Sequence, residues 1–134
     1  MKYLVKKADK LVSEINKMLP ELCCTCMKDG KMDPGHFYSR AFKGTRWDFR
    51  NIHRQCRRCN IDHERDETRM RKFMGKRYDL DKLFRKSREL TKRHHVEYYI
   101  EILITIRDMV KAGSLESHRE VELMQIQLMG WEEI

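Results

Sequence analysis

Five cysteines and six histidines hold most of the chemistry that this sequence can offer. Four of the cysteines form two Cys-x-x-Cys pairs, Cys23 with Cys26 and Cys56 with Cys59. Such a turn brings two sulfurs to one ion, and two such turns close a tetrahedral zinc site. With all four positions taken by thiolates, the ion has none left for catalysis, so the expected role is structural. It would contribute folding energy to the loop-rich segment that the pairs enclose. Cys24, next to Cys23, offers a Cys-x-Cys alternative. Cys23 is preferred because the second pair also has the two-residue gap, and Cys24 is then an inert free thiol. A redox role would use one pair in a thioredoxin-like setting, which a double pair around loops fits poorly.

Between the pairs lie groups that phosphodiester hydrolysis can use. A histidine suits a general base at neutral pH, and His36 follows Asp33-Pro34-Gly35. A hard divalent cation, magnesium or manganese, takes oxygen ligands and leaves room for water and phosphate. Asp33 offers a carboxylate and Asn60 an amide oxygen. His63, three residues after Asn60, shares its helical face and is an alternative ligand. Each residue also has a plainer reading: Asp33 as a turn residue, Asn60 as a helix cap, and His53 as a partner of a zinc sulfur, of a phosphate or of neither. Trp47 and Phe49 read as packing rather than as base-stacking groups.

These groups need elements to hold them. Apolar residues at Leu4, Ala8, Leu11, Ile15 and Met18 predict an N-terminal helix that Pro20 ends. Two short strands are expected at His36-Phe37-Tyr38 and Arg46-Trp47-Asp48-Phe49, linked through Lys43-Gly44. Helical patterning resumes near Arg57, breaks near Gly75, returns from Leu80 to Leu90, and runs again from Val96 to a stop at Ala112-Gly113. Ser117 with Glu120 has capping-box spacing for a last helix. The expected fold is α+β and mainly helical, with flanking helices around a zinc-bound core. Its divisions are an N-terminal helix over 1–22, the core over 23–75, and a helical region over 76–134 that serves dimerisation or DNA binding.

Lys and Arg total 29 against 21 Asp and Glu, giving a formal charge of +8, which favours a polyanionic partner, nucleic acid first. Arg40, Arg46, Arg50, Arg54, Arg57, Arg58, Arg65 and Arg69 lie in or just beyond the zinc segment and read as a phosphate-tracking surface. A solvated face is the plainer alternative. No stretch suits a membrane span or a signal peptide. Unpaired thiols suit a reducing cytoplasm.

The segment Asp33-Pro34-Gly35-His36-Phe37-Tyr38-Ser39-Arg40, then Arg46, then Asn51-Ile52-His53-Arg54-Gln55-Cys56-Arg57-Arg58-Cys59-Asn60 resembles the lambdoid phage NinG (Rap) recombination family, within the HNH or ββα-metal nucleases. Phage endonuclease VII, a Holliday-junction resolvase, is similar in layout. The resemblance covers about Cys23 to Asn60. It implies a ββα-metal core in which His36 is the general base, Asp33 and Asn60 hold the catalytic cation, and Asn51 holds the loop and orients the base. Two positions depart from many HNH nucleases: Gly35 stands where an acidic residue often precedes the base, and Asn60 where histidine often follows the last cysteine.

The expectation is therefore a zinc-containing, magnesium- or manganese-dependent DNA endonuclease acting on branched recombination intermediates, in a host-cell cytoplasm if phage-encoded. Symmetrical junction cutting favours a two-fold homodimer over a monomer. The alternatives are a non-catalytic zinc-stabilised DNA-binding module and an HNH nicking or homing-type nuclease on duplex DNA. The first would have no need of Asp33, His36 and Asn60 together.

Overall fold

A computed structural model describes residues 1–134. It is mainly helical, with six helices and one two-stranded antiparallel sheet. The long helix α1 (Lys2–Met18) buries Ala8, Leu11, Val12 and Ile15. This stripe packs on α5 (Arg93–Lys111), which contributes Val96, Tyr99, Ile100, Leu103 and Ile106. Helix α6 (His118–Met129) also packs against α5 and adds Val121 to the same core. Burial of these apolar faces, at about 25 cal/mol per Å², supplies the main cohesion of the fold. No helix is long and apolar enough to cross a membrane.

The helix boundaries follow local chemistry. Helix α5 stops at Ala112, and Gly113 then takes φ +78°, a conformation costly for any residue with a side chain. Ser117 Oγ accepts the Glu120 N–H at 3.2 Å, and Glu120 Oε1 accepts the Glu116 N–H at 3.1 Å. The expected cap of α6 is thus present. The helical pattern from Arg57 is split in two, α2 (Arg57–His63) and α3 (Thr68–Gly75). Asp66 divides them by accepting the Thr68 N–H at 2.9 Å. Helix α4 (Leu80–Ser87) starts at Asp79, whose carboxylate accepts the N–H groups of Asp81 and Lys82.

The strands lie elsewhere than expected. β1 is Met32–His36 and β2 is Ile52–Cys56, paired from Met32 with Cys56 to His36 with Ile52. Arg46 to Phe49 forms successive turns instead, closed by Asp48 N–H to Thr45 carbonyl at 3.3 Å and Asn51 N–H to Asp48 carbonyl at 2.9 Å. A strand would send alternate side chains to opposite faces. Here Trp47, Asp48 and Phe49 are all fully buried, which the turns permit. Pro34 is tolerated because a two-stranded sheet has only edges. Gly35 is required by its neighbour: a Cβ there would lie 2.4 Å from Gln55 Oε1 and 2.9 Å from Gln55 Cβ. An acidic side chain at position 35 has no room in this chain.

Candidate metal centre and cleft

The two Cys-x-x-Cys turns meet at one end of the sheet. Donor atoms of Cys23, Cys26, Cys56 and Cys59 all lie within 4.8 Å of one another, and Cys26 Sγ is 3.9 Å from Cys56 Sγ. The first turn is closed by the Met27 N–H to the Cys23 carbonyl at 2.9 Å, with Met27 held at φ +61°. The second is the start of α2, where Cys56 Sγ accepts the Cys59 N–H at 3.5 Å. Burial opposes ionisation of Cys23, but hydrogen bonds from the backbone at Cys26, Cys56 and Thr25 bring its thiol down to about 6. Burial and the neighbouring sulfurs push Cys59 far the other way. Four thiolates this close repel unless a dication neutralises them, so the donor set fits a structural zinc held by these four residues. Cys24 lies outside the cluster, and burial pushes its thiol up to about 11. That resolves the choice between Cys23 and Cys24.

A cleft of about 780 Å³ opens beside β1 and α2. Asp33, His36, Asn60 and His63 all line it, together with Glu64 and Glu67 and with Asp9 and Lys10 of α1. His36 Nε2 donates to the Arg46 carbonyl at 2.9 Å, and Nδ1 lies 3.2 Å from the Pro34 carbonyl. Burial holds the His36 imidazole down at about 4, with the nearby Arg40 charge adding to the effect; the two carbonyls oppose it. At neutral pH the ring is uncharged and can take up a proton. His63 Nε2 donates to the Phe37 carbonyl at 3.1 Å, leaving Nδ1 buried without a partner. An unpartnered buried imidazole nitrogen is costly. Asp33 and Asn60 line the same cleft.

Asn51 is fully buried and closes the loop between the strands. Its Nδ2 donates to the carbonyls of Tyr38 (3.0 Å) and Thr45 (3.2 Å), while its Oδ1 accepts the Tyr38 N–H at 2.8 Å. Its side chain makes no hydrogen bond to His36. The ring is held through Arg46, and Arg46 is held by a residue that the sequence did not single out. Asp9 accepts from Arg46 Nε (3.0 Å) and Nη2 (2.7 Å), and from Trp47 Nε1 (2.8 Å).

The arginines separate into two groups. Arg40, Arg57, Arg58, Arg65 and Arg69 are exposed, as a phosphate-facing surface requires. Arg50 and Arg54 are not available for it. Arg50 is 1% exposed, paired with buried Asp48 at 2.9 Å, and donates to the Glu132 carbonyl. Arg54 donates to the carbonyls of Glu21 and Asn16, fastening the end of α1 to β2. Arg46 is committed to Asp9 and donates to the Arg40 carbonyl. Each is taken inward because a loop or helix end there has polar groups that need a donor or counter-charge.

His53 takes the last of its three expected readings. It contacts neither a zinc sulfur nor the surface, but is buried with Tyr78, His118 and Glu122. No local signal linked these four residues, because they come from β2, the turn before α4, and α6.

A family model described as "Bacteriophage Lambda NinG protein" matches residues 1–120. No curated protein and no solved structure matches the chain. The match takes in α1, the cysteine cluster, the cleft and α5, and the chain belongs to the bacteriophage lambda NinG protein family.

Proposed function

We propose that this protein is a zinc-stabilised, divalent-cation-dependent DNA endonuclease of the ββα-metal (HNH-like) kind. The observation that carries the reading is the meeting of Asp33, His36, Asn60 and His63 in one cleft at a strand–strand–helix unit fastened by four cysteines. His36 is the general base: it is neutral at pH 7, its Nε2–H is fixed on the Arg46 carbonyl, and Nδ1 is the nitrogen that accepts a proton. Asp33, Asn60 and the free Nδ1 of His63 would hold magnesium or manganese, which when bound stabilises the charge of the phosphodiester transition state. Asn51 keeps the loop that carries Arg46 closed under the base. Arg40 at the cleft, with Arg57, Arg58, Arg65 and Arg69 on the exposed face, would contact phosphates.

Branched recombination intermediates as the substrate, and a homodimer as the acting form, rest on the resemblance of residues 33–40 and 46–60 to the recombination nucleases. The test offers a four-way junction, a flap and linear duplex to the zinc-loaded protein with magnesium or manganese. Cleavage of the junction in preference to duplex is expected, with at least a hundredfold loss in His36→Ala. A wild type that binds the DNA and cuts none of it makes the protein a binding module. Equal cutting of duplex makes it a nicking-type nuclease. Undiminished cutting by His36→Ala removes His36 as the base.

A further inference from the structure

A second set of metal donors lies away from both the cysteine cluster and the cleft. His53 on β2, with His118 and Glu122 on α6, offers two imidazole nitrogens and a carboxylate oxygen within 4.8 Å of one another. All three are buried, at 5%, 8% and 2% exposure. His118 and Glu122 are four residues apart on one helix face, a spacing that presents both to one ion. The two rings stack with centroids 4.3 Å and planes 28° apart, so one ring must turn for both in-plane lone pairs to reach one ion. A cavity of about 440 Å³, lined by all three residues and by Tyr78, reaches them.

We propose that His53, His118 and Glu122 form a binding site for a borderline transition-metal dication such as zinc or cobalt. Two imidazoles and one carboxylate suit this class better than magnesium or calcium, which take oxygen ligands. Bonds of about 2.1 Å in a tetrahedron put donors about 3.4 Å apart. His118 Nε2 already lies 3.8 Å from Glu122 Oε1, close to the spacing that such a tetrahedron needs. Tyr78 provides a fourth oxygen: its hydroxyl is 3.1 Å from His53 Nε2 and hydrogen-bonds to Glu122 Oε1. Without metal, Nε2 of each ring meets a main-chain carbonyl, His53 that of Arg50 at 3.1 Å and His118 that of Phe49 at 2.8 Å. Neither Nδ1 has a protein partner. Ligation through Nε2 therefore requires each ring to release its carbonyl and carry its proton on Nδ1, the other neutral tautomer. Bound metal would fasten α6 to the strand that ends in Cys56, joining the C-terminal helices to the sheet.

Three arginines that line the cavity, Arg54, Arg77 and Arg119, oppose the ion. Arg119 bonds to the Glu122 carboxylate and would have to release it; its side chain is 61% exposed and also reaches Glu133, so solvent can receive it. The site should therefore bind modestly and gain affinity when Arg119 is removed.

The test titrates cobalt(II) into full-length protein whose cysteine cluster already holds zinc. Wild type is expected to take up a cobalt with visible ligand-field bands but no thiolate charge-transfer band, and the ring resonances of His53 and His118 should shift together. This uptake should be lost in His118→Ala and in the near-isosteric Glu122→Gln, survive in Asp33→Asn, and tighten several-fold in Arg119→Ala. Survival in Asp33→Asn separates it from any cation in the cleft. The proposal is overturned if cobalt enters only with thiolate bands, if the two histidines do not shift in wild type, or if Glu122→Gln binds as wild type does.

Discussion

Replacing Asp9 by alanine removes a carboxylate that ties α1 to the loop holding the candidate base. Three hydrogen bonds are lost, two from the Arg46 guanidinium and one from Trp47 Nε1. Trp47 is fully buried, so its N–H is left without a partner, at a cost of about 1–3 kcal/mol. The Arg46–Asp9 pair is partly solvated, with side chains 18% and 25% exposed, so screening reduces it to about 1 kcal/mol. Burial works against the Asp9 charge, yet Arg46 and Trp47 hold its carboxyl below the usual range, so the charged form is the one the fold stabilises. Together these give an expected destabilisation of about 2–4 kcal/mol for Asp9→Ala. Asp9→Asn, which keeps an oxygen for Trp47, should cost about 1 kcal/mol. Urea unfolding of zinc-loaded protein at pH 7, followed by tryptophan fluorescence, measures both. Since the Arg46 carbonyl fixes His36 Nε2, Asp9→Asn should also broaden the His36 ring signals and, on the proposed nuclease reading, lower the cleavage rate about tenfold with little change in KM. An Asp9→Ala protein within 0.5 kcal/mol of wild type, with its His36 signals unchanged, would refute the reasoning.

Three other perturbations have defined outcomes. His36 and His118 are held at about 4 by burial, and His53 is lowered by burial and by His118. Their folded values lie below the unfolded value of about 6.5, so their contribution is full above pH 6.5 and is lost as pH falls towards 4, by up to about 3 kcal/mol for each of His36 and His118. Urea midpoints at pH 7, 5.5 and 4.5 should fall steadily, and NMR titration of either ring near 6.5 would contradict this account. Removing zinc, by chelation or by Cys59→Ser, should expose residues 23–35 to protease while most of the helical signal persists, because α1, α5 and α6 share a core that does not include the cysteines; a chain that folds fully and resists protease without zinc would count against a structural site. Gly35→Ala should cost about 1–3 kcal/mol through the clash with Gln55, and thermal melting at wild-type temperature would show that the strands are not packed as described.

Different physical ranges separate what could be read in the chain from what could not. The cysteine pairs were legible because a Cys-x-x-Cys turn is a local structure, whose two sulfurs are brought together by four consecutive residues. Helix ends at Ala112-Gly113 and Ser117 were legible for the same reason: caps act within one turn. The strands were misplaced because aromatic content suggested Arg46 to Phe49, whereas pairing puts Met32 opposite Cys56, next to the cysteine cluster, and spends the aromatics on the helical core. Pattern cannot show which of two competing contacts a short apolar run will take.

The sequence by itself determined the four thiolates, the family-like run of Asp33, His36, Asn51 and Asn60, and a basic charge balance. Only the tertiary structure decided which arginines face solvent, because exposure depends on what packs against each side chain: Arg57 and Arg58 point outward, while Arg50 and Arg54 serve buried partners. It also joined Asp9 to Arg46 and Trp47, and His53 to His118 and Glu122, across separations of dozens of residues. The physical reason is the same in both cases. Sequence spacing fixes contacts within a turn or a helical face, but the partner of a buried charge is set by the packing of whole elements, here α1 and α6 against the sheet and its loop.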